Sequence, residues 1–385
     1  MRLLIISPAQ VSGMLLGLGA LAYLLIALWS TWRFRERANP APGWYPPISV
    51  LKPVFGNAPR LYECLRSFCE QDWPDYEIVF GAHAEDDPAV DIVRRLIREL
   101  PDRDIRLVID ADLAGPNRKA ANLTNIYKAA HHDIIVLSDS DVWVDSHCLA
   151  AMAAPFVDDA IGAVTCVYKA RPVAGFASKF AALYVNDWFI PSVLVDVDLR
   201  GIDFLFGAMC AVRRQALDAI GGFARLSQYL ADDFVLGQLV ARAGWKIVLS
   251  PYACDTMMDD RDISEMLIHE IRWQRTVRTC RRLDHALSVM TFPLPLLLAL
   301  LLPHPTEIGL SLIGLEIGLR ILLHHRLRRS FTISAPARPW LVPLRDCVCF
   351  LAWAVALFGS SVRWRDQTFV IASDGRVVTA PESAR

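Results

Sequence analysis

The stretch at residues 11–32 constrains the fold most, because it is apolar apart from Ser12, Ser30 and Thr31. A helix over it is long enough to cross a hydrocarbon layer of about 30 Å. Arg33, Arg35 and Arg37 follow at once. A cleaved signal peptide carries its basic residues mainly before its apolar run and a small-residue cleavage site after it. Here the stronger basic cluster comes afterwards, which predicts an uncleaved anchor whose C-terminal end lies in the cytoplasm. Three more apolar runs lie towards the other end: residues 287–302, broken by Pro293 and Pro295; residues 308–323, with Glu316 and Arg320 inside; and residues 348–362. His324, His325, Arg326, Arg328 and Arg329 after the second run predict a cytoplasmic loop, and Arg363 and Arg365 add charge to the tail. Four full spans would leave that basic tail outside, so one C-terminal segment is expected to be re-entrant or interfacial.

Composition agrees with a mixed protein. Hydrophobic residues make up 54% of the chain and the mean hydropathy is +0.31, too high for a soluble enzyme and too low for an all-membrane transporter. The formal net charge of -1 gives no general pull towards nucleic acid. Nine cysteines, none in a Cys-x-x-Cys pair, predict reduced packing thiols and no zinc site.

Between the apolar ends the pattern alternates. Residues 48–51, 76–80, 105–109 and 132–137 read as strands; residues 87–100 and 119–130 read as helices, the first with Pro88 in its first turn. Such alternation predicts a mostly parallel sheet with helices on both faces, binding its ligand beyond the C-terminal strand ends. The expected organisation is an anchor at 1–38, a proline-rich linker, a cytoplasmic domain at 45–260, an interfacial basic helix at 261–283, membrane segments at 284–365 and a tail at 366–385.

The chemistry-bearing residues fall at those strand ends. Ser138-Asp139-Ser140-Asp141 follows the buried-strand run Ile134-Ile135-Val136-Leu137. Two carboxylates one residue apart can grip a hard divalent cation, Mg²⁺ or Mn²⁺, which in turn holds a diphosphate. Asp141 is the expected metal ligand, and Asp139 a contact to the ribose or the metal. Asp86 and Asp87 end the second strand and can accept from a nucleoside, or cap the helix that opens at Pro88. Lys119, in the cluster Asn117-Arg118-Lys119-Ala120-Ala121-Asn122, is placed to meet a phosphate at a helix start. Asp232 and Asp233 open another helix; inverting sugar transfer needs a base beside the acceptor hydroxyl, and Asp233 is the first choice, with Asp232 second. Arg272, Arg275, Arg278 and Arg282 recur at helical spacing after His269 and predict a basic, membrane-surface face.

Taken in order, these residues resemble the ceramide glucosyltransferase-like family of membrane glycosyltransferases, glycosyltransferase family 21. The resemblance rests on Ser49-Val50-Leu51-Lys52-Pro53, Tyr76-Glu77-Ile78-Val79, Asp86-Asp87-Pro88-Ala89, Asn117 through Leu123, Ser138 to Asp141, and Asp232-Asp233. It covers about residues 45–280. It implies a GT-A-type, Rossmann-like α/β fold with an N-terminal transmembrane anchor and C-terminal membrane helices. The family's three acidic sites fall on Asp86 or Asp87, on Asp139 and on Asp233. Its Gln/Arg-x-x-Arg-Trp motif falls on His269, Arg272 and Trp273, with His269 departing from the usual Gln or Arg. Lys52, Asp86, Asp87, Lys119, Asn122, Asp139, His269, Arg272 and Trp273 are thereby implied on the donor. The expected reaction is inverting transfer from a UDP-sugar to a hydroxyl of a membrane lipid, using UDP-glucose for a ceramide or UDP-N-acetylglucosamine for a hopanoid. The compact chain and its first acidic cluster lean towards the bacterial hopanoid branch. The expected location is a bacterial inner membrane, multi-pass, with the catalytic domain in the cytoplasm. The rival readings are a processive polysaccharide synthase, which needs more spans, and a non-catalytic nucleotide-binding scaffold tethered to the membrane.

Overall fold

A computed structural model of the chain describes residues 7–37, 43–112, 115–359, 361–364, 367–372 and 375–379. Residues 38–42 of the expected linker, Arg365 and residues 380–385 lie outside these. The first helix, α1 (Pro8–Arg35), begins with a reciprocal cap: Ser7 Oγ accepts from the Gln10 amide while Gln10 Oε1 accepts from the Ser7 amide.

A strand–helix alternation follows, made of β1 (Ile48–Pro53), α2 (Leu61–Cys69), β2 (Tyr76–Ala82), α3 (Pro88–Glu99), β3 (Ile105–Ile109), α4 (Arg118–Tyr127) and β4 (Ile134–Ser138). Next come β5 (Val142–Trp143), α5 (Cys148–Ala153) and β6 (Ile161–Pro172). A π-helical turn at Val185–Phe189 joins α6 (Phe176–Tyr184) to α7 (Ile190–Arg200). Then follow β7 (Met209–Arg213), α8 (Arg214–Ala219), α9 (Asp232–Arg242) and β8 (Lys246–Met258). The remaining helices are α10 (Ile263–Cys280), α11 (Arg282–Leu287), α12 (Leu294–Leu301), α13 (Glu307–Ser330) and α14 (Val342–Ala356). Three short strands close the chain: β9 (Ser361–Trp364), β10 (Gln367–Ile371) and β11 (Val377–Thr379).

The chain divides into two compact units. Unit 2, at residues 37–173, 201–259 and 361–385, holds an eight-stranded sheet of order β3-β2-β1-β4-β7-β6-β8-β5 and an antiparallel sheet of β9 to β11. In the large sheet, β1 runs parallel to β2 and β4, β2 to β3, and β6 to β8. Strand β7 runs against both β4 and β6, and β5 runs against β8. The sheet is mixed but mostly parallel, as the alternation predicts, with four parallel and three antiparallel pairings. Its two faces follow the period-two rule. Val50, Ile78 and Val136 pack on one side with Phe68, Val93 and Leu96 of α2 and α3. Leu51, Val79 and Ile135 pack on the other with Leu123, Ile126, Leu217 and Leu236 of α4, α8 and α9. Both faces are covered, so the central strands are mostly apolar, with Ser49, Lys52 and Glu77 buried among them.

Unit 1, at residues 1–36, 174–200 and 260–360, is helical and inverts the usual burial. Leu15, Leu18, Leu25, Leu310, Leu315, Leu322 and Trp340 are exposed, whereas Arg345, Asp346, Glu316, Arg320 and His324 are buried. Arg320 pairs with Asp346 at 3.1 Å and His324 with Asp187 at 2.8 Å; Arg345 pairs with Glu270. Apolar side chains outside and paired charges inside are what a lipid environment selects. Among the described residues four helices are long and apolar enough to cross a membrane: Pro8–Arg35, Phe176–Arg200, Glu307–Ser330 and Pro339–Ala356. A fifth candidate is the pair Arg282–Thr291 and Leu294–Leu301, bent by 64°.

Candidate functional site

The acidic rim is built at the C-terminal end of β4. Beyond Ser138 the chain turns, and the Asp139 amide donates to the Ala208 carbonyl at 3.1 Å. The Asp139 carbonyl accepts from Lys52 Nζ at 2.8 Å. Lys52, implied on the donor by the resemblance, is instead 0% exposed, with its ammonium 3.7 Å from the centre of the Phe68 ring. Burial lowers its proton affinity to a pKa of about 8, against the opposing pull of Cys64, Asp141 and Asp139. It fixes the turn and has no open face for a ligand. Asn122 is corrected in the same way: it is buried, and its Nδ2 donates to the Gly81 carbonyl at 2.8 Å, tying α4 to β2.

Lys119 carries the accessible positive charge of the rim. Asn117 caps α4 through Oδ1 on the Ala120 amide, so Lys119 sits in the first turn. Its Nζ lies 2.6 Å from Asp139 Oδ1 and donates to the Gly207 carbonyl at 3.2 Å. Burial disfavours the ammonium, but the carboxylates of Asp139, Asp232 and Asp233 outweigh it and hold the charge on firmly.

The second acidic pair enters from α9. Asp233 Oδ2 accepts from the Gly207 amide at 2.5 Å, and Oδ1 accepts from the Phe234 amide at 2.8 Å. A Cβ at position 207 would lie 2.9 Å from Asp233 Oδ2 and 3.1 Å from Lys119 Nζ, so the loop passes this close only as glycine. Burial raises the Asp233 pKa, with Lys119 and the two amides acting the other way. Burial likewise raises Asp232 to about 6, partly offset by Lys119. Asp141 is also raised to about 6, first by burial and then by the charge of Asp139; Thr256 Oγ1 donates to its Oδ2 at 3.3 Å.

Four carboxylates thus converge on Lys119 and the buried Lys52. The raised proton affinities of Asp141 and Asp232 mark a surplus of negative charge in little water, which a divalent cation would relieve. Among the described residues no three His, Cys, Asp or Glu side chains form a cation cluster. Asp139 and Asp141 supply the one or two carboxylates that a hard divalent cation takes when phosphate oxygens and water complete its shell.

The remaining candidates are placed as follows. Asp87 caps α3: its Oδ1 accepts from Ala89 at 2.9 Å and from Gly56 at 2.8 Å, while Asp86 beside it is exposed. His269, Arg272 and Trp273 lie on α10, in the helical unit. Trp273 stacks on Tyr184 with centroids 5.8 Å apart, and His269 Nδ1 lies 2.7 Å from Asp260 Oδ1. Two of the four arginines of the expected basic face turn out to cap α14: Arg275 donates to the Phe358 carbonyl, and Arg278 to those of Leu357 and Gly359. Sequence reasoning missed Gly207, Thr256 and Asp260. Gly207 and Thr256 come to the rim only through loop closure and sheet pairing, and a single Asp before a helix reads as a cap.

These features have close counterparts. The profile of glycosyl transferase family 21 matches residues 13–377, and the chain belongs to that family. It is 26% identical over 355 residues to ceramide glucosyltransferase 3 of Caenorhabditis elegans, covering 86% of this chain and 74% of that one. It is 26% identical over 233 residues to ceramide glucosyltransferase 1 of the same organism, covering 60% of this chain and 50% of that one. The chain therefore spans half the length of the latter relative. Among solved structures, the mannosyltransferase PcManGT from Pyrobaculum calidifontis, in complex with GDP-Man and Mn2+, superposes with a TM-score of 0.56 at 19% identity, over 90% of this chain and 98% of that one. The fold is the GT-A type, an α/β sheet with candidate membrane helices at both ends.

Proposed function

We propose that the chain is an inverting hexosyltransferase that moves a sugar from a UDP-sugar to a hydroxyl of a membrane lipid. The observation that carries this reading is Asp233. Its carboxylate is fixed by two backbone N–H groups and raised in proton affinity beside the Lys119–Asp139 pair. Each of its oxygens accepts one hydrogen bond and keeps a lone pair for an incoming proton. A base tuned upwards towards neutrality is what proton removal from an alcohol requires.

The lipid O–H gives its proton to Asp233 as its oxygen bonds to the anomeric carbon. The bond from that carbon to the diphosphate oxygen breaks with its electron pair, UDP departs, and the product is inverted, with β stereochemistry. Lys119 sets a fixed positive charge beside Asp139 for the diphosphate. A Mg²⁺ or Mn²⁺ held by Asp139 and Asp141 would neutralise the charge that develops on the leaving group. Asp86 is the exposed carboxylate for the nucleoside, and Arg272 and Trp273 of α10 serve the diphosphate and acceptor. The relatives' names favour glucose and ceramide; N-acetylglucosamine and a hopanoid are the alternative pair. The catalytic unit faces the cytoplasm of a bacterial cell, where UDP-sugars are made.

Asp233→Asn is expected to lower transfer by about 10²–10⁴-fold while UDP binding survives. A lipid mass profile of cells with and without the active chain reports sugar and acceptor together. A hexose shift assigns the glucosyl reading and an N-acetylhexosamine shift the other. Unchanged turnover in Asp233→Asn removes Asp233 from the base role.

A further inference from the structure

The mouth of α9 carries Asp232 and Asp233, yet Ala231 stands at its cap position and offers no capping side chain. A cap normally pins the first turn of a helix. Here contacts from outside the helix must set where the carboxylates lie. On one side is Asn117, fully buried; its amide donates to the Ser227 carbonyl at 3.0 Å and its Nδ2 to the Tyr229 carbonyl at 2.8 Å. The start of the helix that bears Lys119 is thereby tied to the segment that leads into α9. On the other side is the small sheet of β9 to β11, which belongs to the same unit as α9 although residues 260–360 intervene in the chain. Phe369 and Ile371 are two residues apart in β10 and share a face. The register sets Val362 opposite Phe369 and Val377 opposite Ile371, so these four buried side chains stand together on that face. Leu230 packs against them. Tyr229 forms an antiparallel bridge with Arg376, whose guanidinium lies 5.9 Å from the centre of the Tyr229 ring.

A sheet of three short strands needs its apolar face covered to be stable, and Leu230, two residues before Asp232, helps to cover it. We propose that β9–β11 is a positioning clamp for the base: Leu230 seated on its apolar face and Tyr229 bridged to Arg376 hold the backbone that enters α9, and so hold Asp233 beside Gly207 and Lys119. This rests on the reading above, in which Asp233 takes the proton. Of the two amides that bind its carboxylate, that of Phe234 moves with the helix. The Gly207 amide and the clamp supply the reference from outside it. Lys119, Asp139 and Asp141, the groups for the diphosphate, stand in α4 and beyond β4, outside the clamped segment. Slack at the mouth of α9 is therefore expected in kcat and not in nucleotide affinity.

Two measurements on the full chain in detergent test this. The first is hydrogen exchange followed by mass spectrometry. The Val235 amide donates to the Ala231 carbonyl at 3.0 Å and reports on the first turn of α9. Phe369→Ala is expected to speed exchange in the peptide 229–236 by about tenfold or more and to leave the peptide 237–243 as it was. The second is kinetic. Phe369→Ala and Leu230→Ala are each expected to lower kcat by about 10–100-fold, with UDP affinity in the presence of Mn²⁺ changed less than about twofold. Phe369→Leu keeps the face filled and should retain most of the rate. The double variant should lose little more than either single one, because both act through one contact. Unchanged exchange at 229–236, unchanged kcat, or a parallel loss of kcat and UDP affinity overturns the proposal. Should Phe369→Ala fail to fold, Val377→Ala in the edge strand β11 is a smaller truncation and carries the same test. Exchange coupled in this way in a chain that transfers no sugar sustains the clamp and defeats the transferase reading instead, so the two failures are distinguishable.

Discussion

Burial and mutual repulsion set the proton affinities in the acidic rim. Asp141 and Asp232 are each lifted to about 6 from an ordinary carboxylate value near 4. A group whose folded pKa lies above its unfolded one binds more protons when folded, so stability falls as pH rises through that window. Without a divalent cation the chain is therefore expected to gain stability as pH falls from 7 through 6, with the gain complete near 4. Asp141→Asn removes one of the repelling charges. It should be more stable than wild type at pH 7.5, by something on the order of 1–3 kcal/mol, and equal to it near pH 4, as read by chemical denaturation at both pH values. An advantage that persists at pH 4 would mean that the charge of Asp141 is not its cause. Asp141 is also one of the two carboxylates that would hold the cation.

At the scale of elements, what the sequence discloses depends on how local the cause is. Strands β1, β2 and β4 are apolar runs buried on both faces, and α3 carries its own Asp87 cap and Pro88 start, so all four are legible from neighbours alone. Strand β6 and the α6–α7 helix are not. Polar Thr165, Lys169 and Arg171 interrupt the first, and Asn186 and Asp187 interrupt the second, so neither shows a clean period. Strand β8 runs on past Pro251 to Met258 because it pairs with β6 across an irregularity at Cys166 and Val167, a long-range cause with no local signal. In the site, the carboxylates are legible as candidates from position after a strand or at a helix mouth. Lys52 and Asn122 are not separable from ligand-binding residues until their burial is seen. The α10–α14 contact makes its own prediction. Arg345→Met leaves Glu270 charged and unpaired inside the bundle, which should cost about 3–5 kcal/mol in denaturation midpoint. The double variant Glu270→Gln with Arg345→Met should recover much of it. No recovery would show that packing, not charge, holds the contact.

Across the whole molecule, end-to-end pairings within the helical unit fix the relative direction of α1 and α13. Gln10 Nε2 donates to the His304 carbonyl at 2.9 Å, and Phe34 stacks on Phe331 at 5.4 Å, so α1 and α13 run in the same direction. Arg33 and Arg35 are thereby gathered with Arg326, Arg328 and Arg329 on one side, as the positive-inside rule requires. The bent α11–α12 pair must carry the chain to His304. The C-terminal end of α14 is capped by Arg275 and Arg278 of α10. The segment Phe176–Arg200 also has the length and hydropathy to cross. In intact cells His304→Cys should react with an impermeant maleimide and Ser334→Cys should react only after permeabilisation; outside labelling of Ser334→Cys would overturn that direction. The most direct test of the acidic rim is calorimetry of UDP binding with and without Mn²⁺, on wild type and on Asp139→Asn with Asp141→Asn. Uptake that needs Mn²⁺ in the wild type and vanishes in the double variant is the predicted result. Binding indifferent to Mn²⁺, or unchanged in the double variant, contradicts a cation held by Asp139 and Asp141.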